Sequence, residues 1–514
     1  MSRRTLIISP APTANGDLHL GHLAGPFLAA DVHARYLRAT GREALLATGF
    51  QDTSTYVVTT ARRLGVTPKE LVARSAAQIE TTLAAAGVDV DGFTGDEDQF
   101  VKQVLRFMEQ LHAAGRFELR TVRLPYSPAT GQYLVDGFVR GGCPRCLADG
   151  CAGLCESCGH LLAAGDLIDP RSTADPDDPV ELRDVRVLVL PLERYRERIR
   201  EHFTRYGAAM RPHMAQAIDE MLSRPLPDYP VTYPISWGIP APFPEVAGQV
   251  INPNAEPAAW SIYCGTVAAR GRGIALAGDD ELWRAGADTK VVYFLGFDNT
   301  YPFAVAAVAM LLAADGRYLL PEEFVTNEFY ELDNAKFSTS RGHLVWGRDL
   351  VAEVPRDLVR YHLAATSPET QRTDFSRAAL TRVTTTRLVD PWNQVVDRAQ
   401  RVPQGAPLPV SAFSRSVAAR VVERFAACYE LEYFSLTRAA ETLTEQLQRL
   451  AGREVRPGEE GDFCHEVDVV LRCAAPILID LAAAALPEPG IPAAGAGPTS
   501  VLPRALPRLT GPVG

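Results

Sequence analysis

The sequence has very little lysine, no long apolar run and none of the common glycine-rich nucleotide loops. The longest apolar stretch, residues 303–314, is too short to span a bilayer, which excludes a membrane-spanning helix. The patterns GxxxxGK and GxGxxG are missing, which excludes the P-loop and dinucleotide-binding motifs. Nearly all of the 52 basic residues are arginine, so each remaining lysine is a weak indication of a functional position. The lysines are Lys69, Lys102, Lys290 and Lys336.

What is present is the composition of a soluble globular protein, with 46% hydrophobic and 22% charged residues. A length of 514 residues predicts three or four domains. The net charge of −10 gives no support to nucleic-acid binding by the chain as a whole, although a local basic face would suffice. Five of the nine cysteines fall within residues 143–158, which is not the pattern of a secreted disulfide scaffold. We therefore expect a cytoplasmic protein without a signal peptide.

The first 48 residues carry the pattern of a βαβ unit. Apolar runs predict strands at Thr5–Ser9 and Glu43–Thr48, and helical spacing predicts a helix from about Gly21 to Ala39. Pro26 removes a backbone donor and predicts a kink or a late start of that helix. A strand, helix and strand in this order favour an α/β fold with a doubly wound parallel sheet.

The rest of the chain divides by composition into an insertion, a return of the sheet and a helical end. The segment from about Thr121 is rich in glycine, cysteine and proline and splits the sheet, whose strand signals return near Lys290. After about Leu380 the pattern is that of a helical bundle, and a Pro/Gly/Ala-rich tail follows that we expect to be mobile. The predicted domains are residues 1–120, 121–225, 226–380, 381–487 and 488–514.

Two segments have the residue types of a phosphate site. In Pro12–His22, the imidazoles of His19 and His22 flank a Leu-Gly pair where a strand passes into a helix, and Gly21 leaves room for a flat base. Imidazoles there can donate hydrogen bonds to phosphate oxygens. In Asn334–Gly342, Lys336 lies on a polar loop after a strand and could close on a triphosphate. Taken alone, either segment is also compatible with a plain surface loop.

Four cysteines have the spacing of a metal site. They form two CxxC pairs within sixteen residues and fit a tetrahedral Zn²⁺ with four thiolates: Cys143, Cys146, Cys155 and Cys158. A pair of redox-active CxxC motifs is the alternative. Cys151 lies between the pairs and could replace one ligand.

These motifs occur in an order that resembles class I aminoacyl-tRNA synthetases, and among them the methionyl-tRNA synthetase family. The order is the H-x-G-H segment, the four-cysteine insertion, Trp237–Pro240, the Lys-x-Ser-x-Ser loop and the helical C-terminus. The resemblance covers about residues 4–400. It implies a split Rossmann-type sheet with a zinc-knuckle insertion and a helical anticodon-binding bundle, in which Trp392-Asn393-Gln394 lies near the family's early Asn-rich helix.

The resemblance also implies roles for residues of the first two segments. His19, His22 and Lys336 would be catalytic and would contact ATP, together with Gly21, Ser338 and Ser340. ATP, with Mg²⁺ on its phosphate oxygens, and Zn²⁺ are the expected cofactors.

Positions around the expected amino-acid pocket depart from the family pattern. The pocket tyrosine is replaced by Thr13, which follows Pro12, and the aspartate that holds the substrate ammonium falls on Gln51, with Asp52 one residue away. In two other pocket segments, Tyr263 and Phe303 stand where the family has different residues. In the Lys-x-Ser-x-Ser loop, Thr339 stands where the family has a second lysine. These changes cluster around the amino acid, which argues against methionine as the best substrate.

Three functions follow from these observations. The first is an ATP-dependent ligase of the methionyl-tRNA synthetase type that activates an amino acid, methionine or a different one, as its adenylate and transfers it to tRNA. The second is a paralogue that adenylates a different amino acid for transfer to a small amine or to tRNA in specialised metabolism. The third is a non-catalytic module that binds RNA or a protein partner. Retention of His19, His22 and Lys336 speaks against the third function.

Overall fold

The computed structural model describes residues 3–95, 98–151, 153–155, 157–158, 161–207, 210–337, 342–488, 490–495 and 497–512. The first part of the chain alternates strands with helices. The strands are β1 (Arg4–Ile8), β2 (Ala44–Gly49) and β3 (Gly92–Thr94). The helices are α1 (Leu20–His22), α2 (Leu28–Ala39), α3 (Thr55–Leu64), α4 (Pro68–Ala85) and α5 (Asp98–Ala113).

An insertion rich in short strands interrupts the alternation. Its two long strands, with a short strand at each edge, form an antiparallel sheet of four, and a separate three-stranded sheet carries the cysteine segment. Its strands are β4 (Glu118–Ser127), β5 (Gln132–Tyr133), β6 (Val139–Gly142), β7 (Asp149–Gly150), β8 (Gly153–Leu154), β9 (Leu161–Leu162), β10 (Ile168–Ser172), β11 (Glu181–Pro191), β12 (Asp228–Pro230), β13 (Thr232–Tyr233) and β14 (Val250–Ile251). Its helices are α6 (Arg196–Tyr206) and α7 (Pro212–Leu222).

The alternation resumes after the insertion, where two strands complete the main sheet and the next three form a separate small sheet. The strands are β15 (Thr289–Gly296), β16 (Glu323–Asn327), β17 (Tyr330–Leu332), β18 (Ala335–Lys336) and β19 (Thr373–Phe375). The helices are α8 (Pro257–Gly271), α9 (Val308–Ala313), α10 (Gly347–Glu353) and α11 (Arg356–Ala365).

The main sheet is parallel and runs in the order β16-β15-β1-β2-β3. Successive side chains of β1 lie on opposite faces of the sheet, and both faces are buried. Ile7 belongs to the core shared with α2 and the C-terminal helices, whereas Leu6 and Ile8 belong to the core shared with α5 and α8. The chain leaves β1 on one side for β2 and returns on the other side as β15. A ligand crevice is expected at the carboxyl ends of strands where the order reverses in this way.

The C-terminal part is a helical bundle packed against α2 and α11. It contains α12 (Arg377–Thr384), α13 (Asp390–Ala399), α14 (Ala412–Tyr429), α15 (Leu436–Gly452), α16 (Glu460–Ala474) and α17 (Ile479–Ala485), with β20 (Leu408–Pro409) and β21 (Ser500–Val501). The buried guanidinium of Arg360 ties the parts together. It donates to Asp31 Oδ2 at 2.6 Å, to the Ala86 carbonyl at 3.1 Å and to the Ile477 carbonyl at 2.9 Å.

The fold class predicted from the sequence is confirmed: the structure has a split parallel sheet, a four-cysteine insertion and a helical C-terminal region. The predicted kink is also present, because Gly25 has non-helical backbone angles and a wide turn at Leu23–Phe27 precedes α2. The described part of the C-terminal tail lies against the bundle, where β21 pairs with β20. The domain boundaries and the mobility of the tail stay predictions.

Candidate active site

The first candidate segment lies at the carboxyl end of β1, beside the reversal point of the sheet. Asp17 fixes the turn that leads into it. One carboxylate oxygen of this buried residue accepts from the Leu18 backbone at 2.7 Å and from the Thr82 hydroxyl at 2.6 Å, and the other lies 3.5 Å from the Arg348 guanidinium. The chain therefore enters α1 in one defined direction.

His19 and His22 form a stacked pair of imidazoles. Their ring centroids are 3.8 Å apart and their planes differ by 21°. The His19 backbone N–H donates to Nδ1 of His22 at 3.3 Å, which orients the second ring. A Cβ added at Gly21 would lie 3.0 Å from the His19 ring and 3.5 Å from Phe337. Glycine at this position therefore allows the close approach of the ring and the backbone.

The lysine-bearing segment lies directly against this pair. Phe337, the residue after Lys336, stacks on the His19 ring with centroids 5.2 Å apart. On the far side of the loop, Trp346 forms a backbone bridge with His19. The Lys336 backbone lies opposite that of Glu331 in the antiparallel β17–β18 ladder. Ser338, Thr339 and Ser340, which the sequence assigns to this loop, lie outside the described residues.

The expected amino-acid side of the site begins at the carboxyl end of β2. Gln51 forms a backbone bridge with Thr13, and its N–H donates to the Pro12 carbonyl at 2.9 Å. The Gln51 side chain donates to the Pro253 carbonyl at 3.1 Å. The structure thus brings together Pro12, Thr13 and Gln51, as the sequence predicts, and adds the segment before α8.

Asp52 and Thr53 continue this side toward the start of α8. The Trp237 indole N–H donates to the Asp52 carbonyl at 2.9 Å, so the Trp-Gly-Ile-Pro segment supports the turn. The Thr53 hydroxyl donates to Oε2 of Glu256 at 2.9 Å. Glu256 is 3% exposed, and burial, reinforced by the charge of Asp52, raises the pKa of its carboxyl well above the ordinary value.

Tyr263 and Phe303 are core residues in this structure. The Tyr263 ring lies 6.1 Å from Phe100. The Phe303 ring lies 5.5 Å from Tyr293 and 6.2 Å from Trp260. Their predicted contact with the amino acid stays a prediction.

Sequence reasoning missed two buried carboxyl groups beside Gln51 and Asp52. One is Glu256; the other is Asp136, which accepts from the Asn254 side-chain amide at 3.2 Å. Burial raises the pKa of Asp136 to about 7. A glutamate before a proline and an apolar helix resembles an ordinary helix start, so only the fold reveals that Glu256 is buried.

The four predicted metal ligands converge. The Sγ atoms of Cys143, Cys146, Cys155 and Cys158 all lie within 4.8 Å of one another. Two pairs are closer, with Cys143 and Cys158 at 3.8 Å and Cys146 and Cys155 at 3.6 Å. Four thiolates about 2.3 Å from a tetrahedral Zn²⁺ would be about 3.8 Å apart, so the cluster fits zinc. Cys151 is outside it and lies 2.8 Å from the Tyr56 hydroxyl.

Comparison with known proteins agrees with this arrangement. Residues 5–400 match the family described as tRNA synthetases class I (M). The methionine–tRNA ligase of Porphyromonas gingivalis is 32% identical over 402 residues, which make up 77% of this chain and 58% of that protein. The methionine–tRNA ligase of Thermobifida fusca is 31% identical over 421 residues, 77% of this chain and 68% of that protein. The chain thus spans less than two thirds of the length of the first of these relatives.

A solved structure extends the likeness to the whole fold. Mycobacterium tuberculosis methionyl-tRNA synthetase, determined in complex with methionyl-adenylate, matches with a TM-score of 0.74 at 18% identity, over 99% of both chains. Among the described residues, no helix is long and apolar enough to cross a bilayer. The family match over most of the chain, together with relatives above 30% identity, shows that this chain belongs to the class I (M) tRNA synthetases.

Proposed function

We propose that this chain is an ATP-dependent ligase that activates an amino acid as its adenylate and transfers the acyl group to tRNA. The observation that carries the proposal is the stacked pair His19 and His22 at the carboxyl end of β1, with the segment Lys336-Phe337 packed against it. Family membership supports the same activity, because the relatives named above are methionine–tRNA ligases.

The chemistry needs no nucleophile from the protein. A carboxylate oxygen of the amino acid attacks the α-phosphorus of ATP, a new P–O bond forms, and the bond to the bridging oxygen breaks as pyrophosphate leaves. The imidazoles of His19 and His22 donate hydrogen bonds to phosphate oxygens as negative charge shifts during attack. Lys336 would supply a positive charge near the leaving pyrophosphate, and Mg²⁺ that enters with ATP would add positive charge to its phosphates. Positioning and charge stabilisation account for the rate.

The test is ATP–pyrophosphate exchange with each standard amino acid, with and without tRNA. Exchange that depends on one amino acid supports the proposal and identifies the substrate. No exchange with any amino acid, together with measurable RNA affinity, would instead support a binding module.

Zinc is proposed as the resident metal of the insertion. Metal analysis should find about one zinc per chain, bound by the four-cysteine cluster. Cys143→Ser should lose it, whereas the matched control Cys151→Ser should keep it, because Cys151 lies outside the cluster. Equal zinc content in both variants would contradict the assignment.

One observation favours a second candidate, in which a small amine accepts the acyl group in place of tRNA. The C-terminal tail covers the bundle face that carries Trp392 and Asn393. The Trp392 indole donates to the Pro507 carbonyl at 2.8 Å, and the Asn393 side chain exchanges two hydrogen bonds with the Leu509 backbone at 2.9 and 3.0 Å. The resemblance implies that this face belongs to the anticodon-binding bundle, so we expect the tail to compete with RNA for it.

The acceptor can be measured directly. The chain is incubated with ATP, its amino acid and either total tRNA or a panel of small amines, and the products are resolved by mass spectrometry. Aminoacyl-tRNA supports the first function. Amides formed faster than in the absence of enzyme, without aminoacyl-tRNA, support the second.

A further inference from the structure

The segment Asn252–Glu256, which leads into α8, is held by hydrogen bonds from several sides. The Asn252 side chain donates to the Pro230 carbonyl at 2.7 Å, and the Tyr229 hydroxyl donates to the Asn254 carbonyl at 2.5 Å. Gln51 donates to the Pro253 carbonyl on the side of β2. The segment is therefore fixed in place against the end of β2 and the insertion.

One polar atom of this segment is left without a partner. Oε2 of Glu256 accepts from the Thr53 hydroxyl at 2.9 Å, but Oε1 is buried and makes no hydrogen bond. Glu256 precedes the first turn of α8, where a carboxylate ordinarily caps backbone N–H groups, yet its side chain caps none. Buried polar atoms are nearly always hydrogen-bonded, so a buried carboxyl oxygen without a partner at the start of α8 indicates a place for a ligand.

The surroundings of this oxygen are acidic. The charge of Asp52 acts on Glu256, and Asp136 lies behind the same segment, bonded to Asn254. Within the described parts of the chain, neither Glu256 nor Asp136 forms an ion pair with an arginine, lysine or histidine. A buried carboxylate without a counter-ion is costly, and a bound cation would offset that cost.

We propose that Glu256 is a specificity-determining residue that contacts the substrate amino acid: its open oxygen accepts a hydrogen bond from a positively charged nitrogen of that substrate. The inference rests on the proposed function and concerns the same site. Gln51, at the position expected to hold the substrate ammonium, is neutral. The inference explains how the amino-acid side of the site still offers a negative charge: Glu256 supplies it from the start of α8, in place of a carboxylate after β2. The nitrogen belongs either to the α-ammonium group or to a basic side chain.

The test is Glu256→Gln, which keeps the shape and removes the charge. Losing a charge-assisted hydrogen bond should raise the KM for the amino acid at least roughly tenfold, with little change in the KM for ATP. Glu245→Gln, an exposed glutamate outside the site, is the matched control. Thr53→Val leaves the carboxyl in place but removes the donor that orients it, and should raise the same KM by a smaller factor. Thermal melts check that each variant folds.

The two sources of the nitrogen give different patterns. If the wild type prefers lysine, ornithine, arginine or histidine, and Glu256→Gln loses that preference, the side chain is the source. If the preferred amino acid has a neutral side chain and Glu256→Gln raises the KM for every amino acid by a similar factor, the α-ammonium group is the source. A KM for the preferred amino acid within twofold of the wild type would overturn the inference.

Failure of the proposed function gives a separate result. If the wild type exchanges no amino acid, calorimetric titration with the same amino acids without ATP tests the inference alone. Binding that Glu256→Gln weakens at least tenfold would sustain it. No binding to the wild type, or equal binding to both proteins, would overturn it.

Discussion

The two sides of the candidate site differ in how they are built. On the proposed nucleotide side, the stacked imidazoles, Gly21 and the lysine-bearing segment lie together as the motif order predicts. On the proposed amino-acid side, the Gln51 side chain donates to the Pro253 carbonyl, and the buried carboxyl groups are those of Glu256 and Asp136. The comparison teaches that the residues proposed to contact ATP follow the family pattern, whereas the positions expected to contact the amino acid depart from it.

The largest expected effect is on the nucleotide side. His19→Ala or His22→Ala removes a donor to the transferring phosphate and should lower the exchange rate roughly 100-fold for whichever amino acid is used. His112→Ala is the control, because that imidazole stacks on Phe243 and lies outside the site. Normal exchange in both histidine variants, with folding intact, would remove the distinction between the two sides.

Asp136→Asn sharpens the comparison on the amino-acid side. Burial raises the pKa of Asp136 to about 7, so the folded protein holds a proton that the unfolded chain releases near its ordinary value of 3.8. The unfolding free energy of the wild type should therefore fall as pH rises from about 4 to 7. Between about pH 5 and pH 7 this loss should be roughly 2 kcal/mol and absent in Asp136→Asn. Urea unfolding of both proteins measures it, and parallel pH profiles would contradict it.

Gly21→Ala should have the smallest effect of the three. The added Cβ lies 3.0 Å from the His19 ring, so the ring must shift by a few tenths of an ångström. We expect roughly a tenfold loss of exchange from misplacing that donor, without loss of stability. Gly452→Ala, where nothing lies within 4 Å of the new Cβ, is the control. Equal activity of the two variants would show that ring placement at His19 does not matter.

The parts of the molecule that depend on local sequence were predictable. Local spacing predicts the βαβ unit, the kink at Gly25-Pro26 and the four-cysteine cluster, because each depends on residues close together in sequence. The order of the motifs along the chain predicts the family. The predicted helix from about Gly21 begins as regular α2 only at Leu28, since Pro26 lacks the donor that a continuous helix needs.

The parts that depend on long-range packing were not predictable. Glu256 is far in sequence from Thr53, and only the placement of α8 against β2 brings them together. The hydrogen bonds of Trp392 and Asn393 to the Pro507 and Leu509 carbonyls likewise join segments more than 100 residues apart. Tertiary contacts of this kind leave no periodic pattern in the sequence.

The most direct measurement is a single-turnover reaction with ATP and a mixture of amino acids, quenched and analysed by mass spectrometry for aminoacyl-adenylate. The account predicts one dominant adenylate, whose mass identifies the amino acid, and its loss in the double variant His19→Ala/His22→Ala. No adenylate from the wild type, or the same amount from the double variant, would contradict the account.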